Sequence, residues 1–168
     1  HASPFRYCFR LPQGYLGSHG LERTLPRYDR FFHLLAKPLP PEWALGAVFY
    51  QIFPDRFRQG RPELAPKEGA WLYGGRPIRK KAWHEPPGED GAREFYGGDL
   101  FGVLEALPYL EALGVEALYL TPIFQSPSSH RYDTEDYHRV DPHLGGEEAL
   151  RALYEALEAR GMKLILDG

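Results

Sequence analysis

The sequence predicts an α/β fold in which short parallel strands alternate with helices. Apolar runs of strand length recur, segments with leucines at helical spacing separate them, and a glycine follows each helical segment. Strands that are joined through helices run parallel with right-handed crossovers. Such an order can begin either a doubly wound sheet or a (β/α)8 barrel.

Two features favour the barrel. No Gly-rich phosphate-binding fingerprint follows a strand, and the long loops do follow strands, on the side where barrels build active sites. We therefore predict the first three βα units of a (β/α)8 TIM barrel, preceded by the tail of a small β-sandwich N-terminal domain.

Residues 1–36 are assigned to that tail, as its last hairpin. Phe5–Arg10 alternates as a strand does, and three glycines then punctuate a turn. Residues 37–46 are predicted to be a stiff linker, because they carry Pro38, Pro40 and Pro41.

Residues 47–168 are predicted to form the N-terminal part of an incomplete barrel. Its first strand is Ala47–Phe53, a short apolar run. Arg58–Asp90 carries several prolines and glycines without a period, so we expect an irregular excursion there. It includes a basic cluster, interpreted as a solvated face of the loop and formed by Arg76, Arg79, Lys80 and Lys81.

Helix and strand alternate after the excursion. Leucines recur at helical spacing from Leu100 to Leu113, and Gly114 ends that helix. Pro108 lacks a backbone donor, so we expect a kink or a restart there. The remaining predicted elements are a strand at Val115–Thr121, a helix at Glu147–Arg160 and a strand at Lys163–Asp167.

Composition argues against several classes of function. A net charge of −3 gives no electrostatic case for nucleic acid or an anionic membrane as a partner. No apolar run approaches the roughly 18–20 residues that span a bilayer. Cys8 is the single cysteine, which precludes an intrachain disulfide. No signal-peptide pattern is present, and we expect a cytoplasmic protein.

The loop that follows the second predicted strand is the candidate site. It concentrates aromatic, carboxylate and imidazole side chains in nine residues: His130, Tyr132, Asp133, Asp136, Tyr137 and His138. A buried strand that leads into such a loop is where α/β enzymes place their sites. The mixture also suits a sugar, whose C–H faces pack on flat apolar rings and whose hydroxyls need acceptors.

Four ordered segments resemble the α-amylase superfamily of glycoside hydrolases, in particular its neopullulanase, cyclomaltodextrinase and maltogenic amylase branch. They are Val48–Phe57, Phe95–Gly102, Leu113–Phe124 and His130–Gly145, and Gly161–Asp167 resembles the start of a fifth. The resemblance spans about residues 43–168, so the chain is interpreted as a fragment of a longer protein.

The resemblance implies a retaining hydrolase or transglycosylase of α-1,4- and α-1,6-glucosidic bonds in cyclodextrins, pullulan or maltooligosaccharides. It implies no organic cofactor and a possible homodimer of the full-length protein. The family's catalytic carboxylates follow later barrel strands, so we predict no catalytic residue here and an inactive isolated chain. The alternative is a non-catalytic carbohydrate-binding protein on the same scaffold.

Two residues are predicted to bind substrate. Tyr132 matches the family's aromatic platform under the sugar, and ring stacking of this kind contributes on the order of 1 kcal/mol. His130 either hydrogen-bonds a sugar hydroxyl or stays solvated.

Four further residues are predicted to support the site. Asp167 ends the third strand and matches a family carboxylate that assists the catalytic group. Asp133 and Asp136 resemble a catalytic pair at first sight, but their spacing on a loop favours turn-holding roles. Tyr50 points either to the barrel top or into the core.

For a calcium site, the sequence offers one argument in favour and one against. Gly97 and Asp99 resemble half of a calcium site found in this branch, with a backbone carbonyl and a carboxylate as ligands. The other half comes from an Asn/Asp-rich loop, and here Arg61 places a positive charge where a carboxylate is expected. The N-cap of the following helix is the preferred interpretation of Asp99.

Overall fold

The computed structural model describes residues 5–7, 9–11, 13–17, 20–25, 32–34 and 41–167. The chain divides into two compact units, residues 1–46 and residues 47–168. No helix of the described residues is long and apolar enough to cross a membrane.

The first unit contains short antiparallel strands. Its strands are β1 (Phe5–Tyr7), β2 (Phe9–Leu11), β3 (Gly14–Gly17), β4 (Gly20–Glu22) and β5 (Phe32–Leu34). β2, β3 and β4 form a meander, and β1 pairs with β5. Pro38 and Pro40 of the predicted linker lie outside the described residues. The assignment of this unit to the tail of a larger β domain stays a prediction.

The second unit contains the remaining elements. They are β6 (Phe49–Ile52), β7 (Leu72–Tyr73), β8 (Arg76–Pro77), β9 (Arg79–Lys80), β10 (Glu94–Phe95), α1 (Leu100–Ala112), β11 (Ala117–Leu120), β12 (Phe124–Gln125), β13 (Asp136–Val140), α2 (Gly146–Glu158) and β14 (Lys163–Leu166).

A three-stranded parallel sheet organises this unit. β11 lies at its centre, between β14 and β6, and all three strands run in the same direction. In this register Leu118 lies opposite Tyr50 and Leu164, while Tyr119 lies opposite Gln51 and Ile165. Because successive residues of a strand face opposite sides, these two rows lie on opposite faces of the sheet.

The helices bury one face of the sheet in the core. Leu118 and Leu120 are fully buried, and they cluster with Leu107 of α1 and Leu153 of α2. Each such leucine contributes about 1.5–3 kcal/mol through the removal of apolar surface from water. α1 continues as one element through Pro108, so of the predicted kink or restart the restart does not occur, and the kink stays a prediction.

The excursion between β6 and α1 is mostly irregular, as predicted, with two short strand pairs. β7 and β8 form a small hairpin, and β9 pairs in parallel with β10. The interpretation of the basic cluster as a solvated face is wrong for two of its members. Lys81 is buried against Glu85, and Lys80 is half-buried with its ammonium bonded to a backbone carbonyl.

Candidate functional site

A buried ion pair holds the loop that follows β11. The Nε of Arg131 donates to Asp141 Oδ2 at 2.7 Å, and the two side chains are 1% and 3% exposed. Arg131 also donates to the carbonyl of Ser129 at 2.9 Å. Its φ of +61° is uncommon for a residue with a side chain. These contacts therefore fix the backbone directly before Tyr132.

A second network surrounds Asp133 in the same loop. Ser126 Oγ donates to Asp133 Oδ1 at 2.7 Å, and Ser128 Oγ donates to the same atom. The Tyr73 hydroxyl, which belongs to the excursion, also hydrogen-bonds this carboxylate. Burial acts to raise the pKa of Asp133, but these hydrogen bonds outweigh it and hold the pKa below its ordinary value. Asp133 thus joins the excursion to the loop.

His130 and Asp136 make local contacts. Asp136 is exposed, and its Oδ1 accepts a hydrogen bond from the amide of His138 at 2.8 Å. His130 Nδ1 accepts from the amide of Tyr132 at 3.1 Å. Because Nδ1 acts as an acceptor, the neutral ring carries its proton on Nε2. A sugar contact through that nitrogen stays a prediction.

Two tyrosines share the carboxylate of Asp167 at the carboxyl end of the sheet. The Tyr132 hydroxyl donates to Asp167 Oδ2 at 2.9 Å, while its side chain remains 56% exposed. Tyr119 also hydrogen-bonds Asp167, and this bond raises the pKa of Tyr119 to about 12. Tyr132 therefore presents an exposed aromatic ring while Asp167 holds its hydroxyl. Barrel enzymes build their sites at this end of the strands.

The tyrosine pair makes a testable titration prediction. A pKa raised above the ordinary 10 means that the Tyr119–Asp167 hydrogen bond is intact below pH 10 and is lost as the pH rises through about 12. We expect the difference in tyrosinate absorbance between the wild type and Tyr119→Phe to show a step near pH 12. Asp167→Asn should shift this step towards pH 10. A step near pH 10 in the difference between the wild type and Tyr119→Phe would contradict the shared hydrogen bond.

Tyr50 lies in the row of side chains on the core face. Its ring centroid is 6.4 Å from that of Phe57 at an interplanar angle of 66°, and it packs against the core cluster. The neighbouring Gln51 lies in the same row as Tyr119. The structure thus places Tyr50 in the core, which was one of its two interpretations, and its support of the site stays a prediction.

The residues around Gly97 and Asp99 do not fit a calcium ion. Asp99 is fully buried, and its carboxylate accepts hydrogen bonds from the amides of Gly60, Arg61 and Gly102. The bond from Gly102 confirms Asp99 as the N-cap of α1. Within the described part of the chain, no group of three or more His, Cys, Asp or Glu side chains could hold a metal. Calcium takes six to eight oxygen ligands.

Comparison with known proteins identifies the family. Residues 51–168 match the catalytic domain of alpha amylase. The chain belongs to the alpha-amylase family. The family's members are glycoside hydrolases, and its catalytic domain has the TIM-barrel fold. That β6, β11 and β14 are the first three of eight barrel strands stays a prediction.

Individual members of the alpha-amylase family support the predicted branch. The intracellular maltogenic amylase of Bacillus subtilis is 41% identical over 162 residues, which cover 91% of this chain and 25% of that protein. Neopullulanase 2 of Thermoactinomyces vulgaris is 42% identical over 172 residues, covering 96% and 27%.

Solved structures agree. The type III pullulan hydrolase of Thermococcus kodakarensis superimposes with a TM-score of 0.68 at 34% identity, covering 98% of this chain and 30% of that one. The chain thus spans about a quarter of the length of the curated relatives. The resemblance to the neopullulanase, cyclomaltodextrinase and maltogenic amylase branch is confirmed.

Three contributors to this part of the alpha-amylase fold escape sequence reasoning. Arg131 pairs with Asp141 within the loop after β11, and Tyr73 contacts Asp133 from the excursion, and no local sequence pattern encodes either contact. Tyr119 could have been found, because a strand alternates its faces. Aligning Val115–Thr121 with Lys163–Asp167 places Tyr119 opposite Ile165, on the face of Asp167.

Proposed function

We propose that this chain is part of a retaining α-glucan hydrolase or transglycosylase. Its substrates would be cyclodextrins, pullulan or maltooligosaccharides, in which it would act on α-1,4- and α-1,6-glucosidic bonds. Relatives named maltogenic amylase, neopullulanase and cyclomaltodextrinase support this substrate class. One observation carries the local role, namely the exposed Tyr132 ring that Asp167 anchors at the carboxyl end of the sheet.

Tyr132 acts as a platform for a glucose ring in this proposal. Its exposed face offers an apolar surface to the sugar C–H groups, and such stacking contributes on the order of 1 kcal/mol. The bond to Asp167 and the fixed backbone at Arg131 hold the ring in place before the sugar arrives. Such preorganisation reduces the entropy cost of binding. His130 Nε2 lies on the neighbouring ring and supplies a donor for a sugar hydroxyl.

Bond cleavage requires two carboxyl groups on opposite sides of the anomeric carbon, roughly 5–5.5 Å apart in a retaining enzyme. Asp133 is a poor candidate, since hydroxyl donors already engage its carboxylate. Asp136 accepts from a backbone amide within its own turn. We propose that the catalytic carboxylates belong to later βα units of the full-length protein, so that this chain alone supplies a wall of the cleft and is inactive.

The stereochemistry of the product tests the proposed function. We expect the full-length protein to release glucose, maltose or short maltooligosaccharides from at least one of the three substrates. The first product seen by proton NMR should be the α-anomer, because a double displacement retains configuration. An initial β-anomer would contradict the retaining mechanism.

The same experiment separates the enzyme from the alternative. A full-length protein that binds maltooligosaccharides in calorimetry but releases no sugar from any substrate would be the non-catalytic binder. We also propose that the protein works inside the cell, in line with the name of its Bacillus subtilis relative. A homodimer of the full-length protein is proposed on the family resemblance alone.

A further inference from the structure

We propose that the ammonium group of Lys80 takes the place of a metal ion beside Gly97, so that this protein does not depend on calcium there. The family resemblance leads to an expectation of calcium at Gly97 and Asp99. The side chains around this turn contradict that expectation, and they indicate what replaces the ion.

The atoms around Gly97 leave no place for a free metal ion, because the cation present there is the ammonium of Lys80. Lys80 Nζ donates to the carbonyl of Tyr96 at 2.7 Å. The same ammonium, the methyl group of Ala65 and the amide nitrogen of Gln59 surround the position that a Cβ of Gly97 would occupy, and such a Cβ would collide with the first two. An ammonium at this distance from the turn repels a divalent ion.

The positive charge of Lys80 has a buried partner. Asp55 is 1% exposed, and its two oxygens accept from the amides of Tyr96 at 2.9 Å and of Gly97 at 3.1 Å. Lys80 interacts electrostatically with this carboxylate. Burial lowers the pKa of Lys80, and Asp55 opposes that change. Burial raises the pKa of Asp55, and Arg131, the two amides and Arg56 oppose that change, so the ammonium adds to a carboxylate that other groups already stabilise.

The carboxylate of Asp99, the second expected calcium ligand, already accepts hydrogen bonds from backbone amides. One of its oxygens accepts from Gly60 and Arg61 at 3.0 and 2.8 Å, and the other accepts from Gly102 at 2.7 Å. An ionised carboxylate has about four acceptor sites. Three of them are thus used to join the segment after β6 to the start of α1.

Lys80 reaches the turn because of strand pairing. It lies on β9, directly opposite Phe95 of β10, so its side chain extends along the residues that follow Phe95. The lysine therefore fastens the excursion to the 96–99 turn. In this proposal the ammonium of Lys80 links the excursion to the 96–99 turn, as a calcium ion links the segments that supply its oxygen ligands.

Thermal denaturation of the full-length protein tests the proposal without reference to activity. We expect the Tm of the wild type to be unchanged by EDTA and by added CaCl2. Lys80→Met keeps the unbranched apolar stem of the side chain but removes the ammonium, and it should lower Tm by about 2–4 °C or more. Lys67→Met is the matched control, since Lys67 lies exposed in the same excursion and its replacement should leave Tm unchanged.

A double variant tests whether this position can accept a cation. Replacing Lys80 by alanine and Ala65 by aspartate removes the ammonium and adds an oxygen ligand beside Gly97. We expect calcium to raise the Tm of this variant, because a ligand that binds only the native state stabilises it. Absence of such a rise would overturn the assignment of this position as a cation site.

Two other results would also overturn the proposal. One is a wild-type Tm that falls in EDTA and recovers with CaCl2. The other is a Lys80→Met variant that is as stable as Lys67→Met. If Lys80→Met fails to fold, calorimetric titration of the metal-free wild type with CaCl2 still tests the proposal. Stoichiometric calcium binding by the wild type, retained in Lys67→Met and stronger in the double variant, would contradict a site already filled by Lys80.

Discussion

Replacement of Arg131 by methionine is expected to destabilise the second unit by about 3–5 kcal/mol. Methionine fills part of the space, but Asp141 is 2% exposed and would be left as a buried carboxylate without its cation. Asp141 also accepts from the amide of His143 at 2.8 Å and so caps the turn before α2. Loss of Arg131 therefore weakens both the β11 loop and the start of that helix.

The matched control for Arg131→Met is Arg58→Met. Arg58 pairs with Glu105 at 3.0 Å, but these side chains are 53% and 49% exposed. An exposed pair contributes about 0–1 kcal/mol, so the same change of residue should have little effect there. Thermal denaturation gives the stability, and limited proteolysis reports on the loop. Equal losses of stability in the two variants would show that burial does not increase the contribution of the Arg131–Asp141 pair.

Periodicity made the regular elements predictable. The strands predicted at Val115–Thr121 and Lys163–Asp167 contain β11 and β14, and the helix predicted at Glu147–Arg160 overlaps α2 with one-to-two-residue differences at its ends. Helix ends vary at this level because capping contacts, rather than the apolar pattern, set them. Asp99 shows the converse, since its cap was predictable from residue type and position alone.

Burial of charged residues was not predictable in the same way. Arg131, Lys81 and Asp55 are all nearly inaccessible, although their residue types are mostly exposed in proteins. Asp55 is buried where backbone amides from a distant segment meet it, whereas Arg131 and Lys81 pair with Asp141 and Glu85 in their own segments. Residue type and spacing do not indicate which charged groups the surrounding chain covers, so the interpretation of the basic cluster as solvated is wrong for Lys80 and Lys81.

Replacement of Asp167 by asparagine in the full-length protein is expected to lower kcat/KM for maltooligosaccharides by about 10–100-fold, the range typical of residues that orient a site through hydrogen bonds. The carboxylate serves as acceptor for Tyr132 and Tyr119 together. An amide is neutral and replaces one acceptor oxygen by an N–H donor, so both bonds lose the charge of the carboxylate and one acceptor atom is lost. This prediction rests on the proposed function, whereas the titration of Tyr119 tests the same contact without substrate.

Variants of Tyr132 separate orientation from stacking. Tyr132→Phe loses the bond to Asp167 but keeps the ring, so we expect a smaller fall in kcat/KM than in Asp167→Asn, which also releases Tyr119. Tyr132→Ala removes the sugar platform and should raise KM as well. Tyr137→Ala is the control, because Tyr137 lies on adjacent β13 and is also 56% exposed, yet its ring contacts Phe124. Equal effects at the two tyrosines would mean that exposure, and not the anchor at Asp167, explains the result.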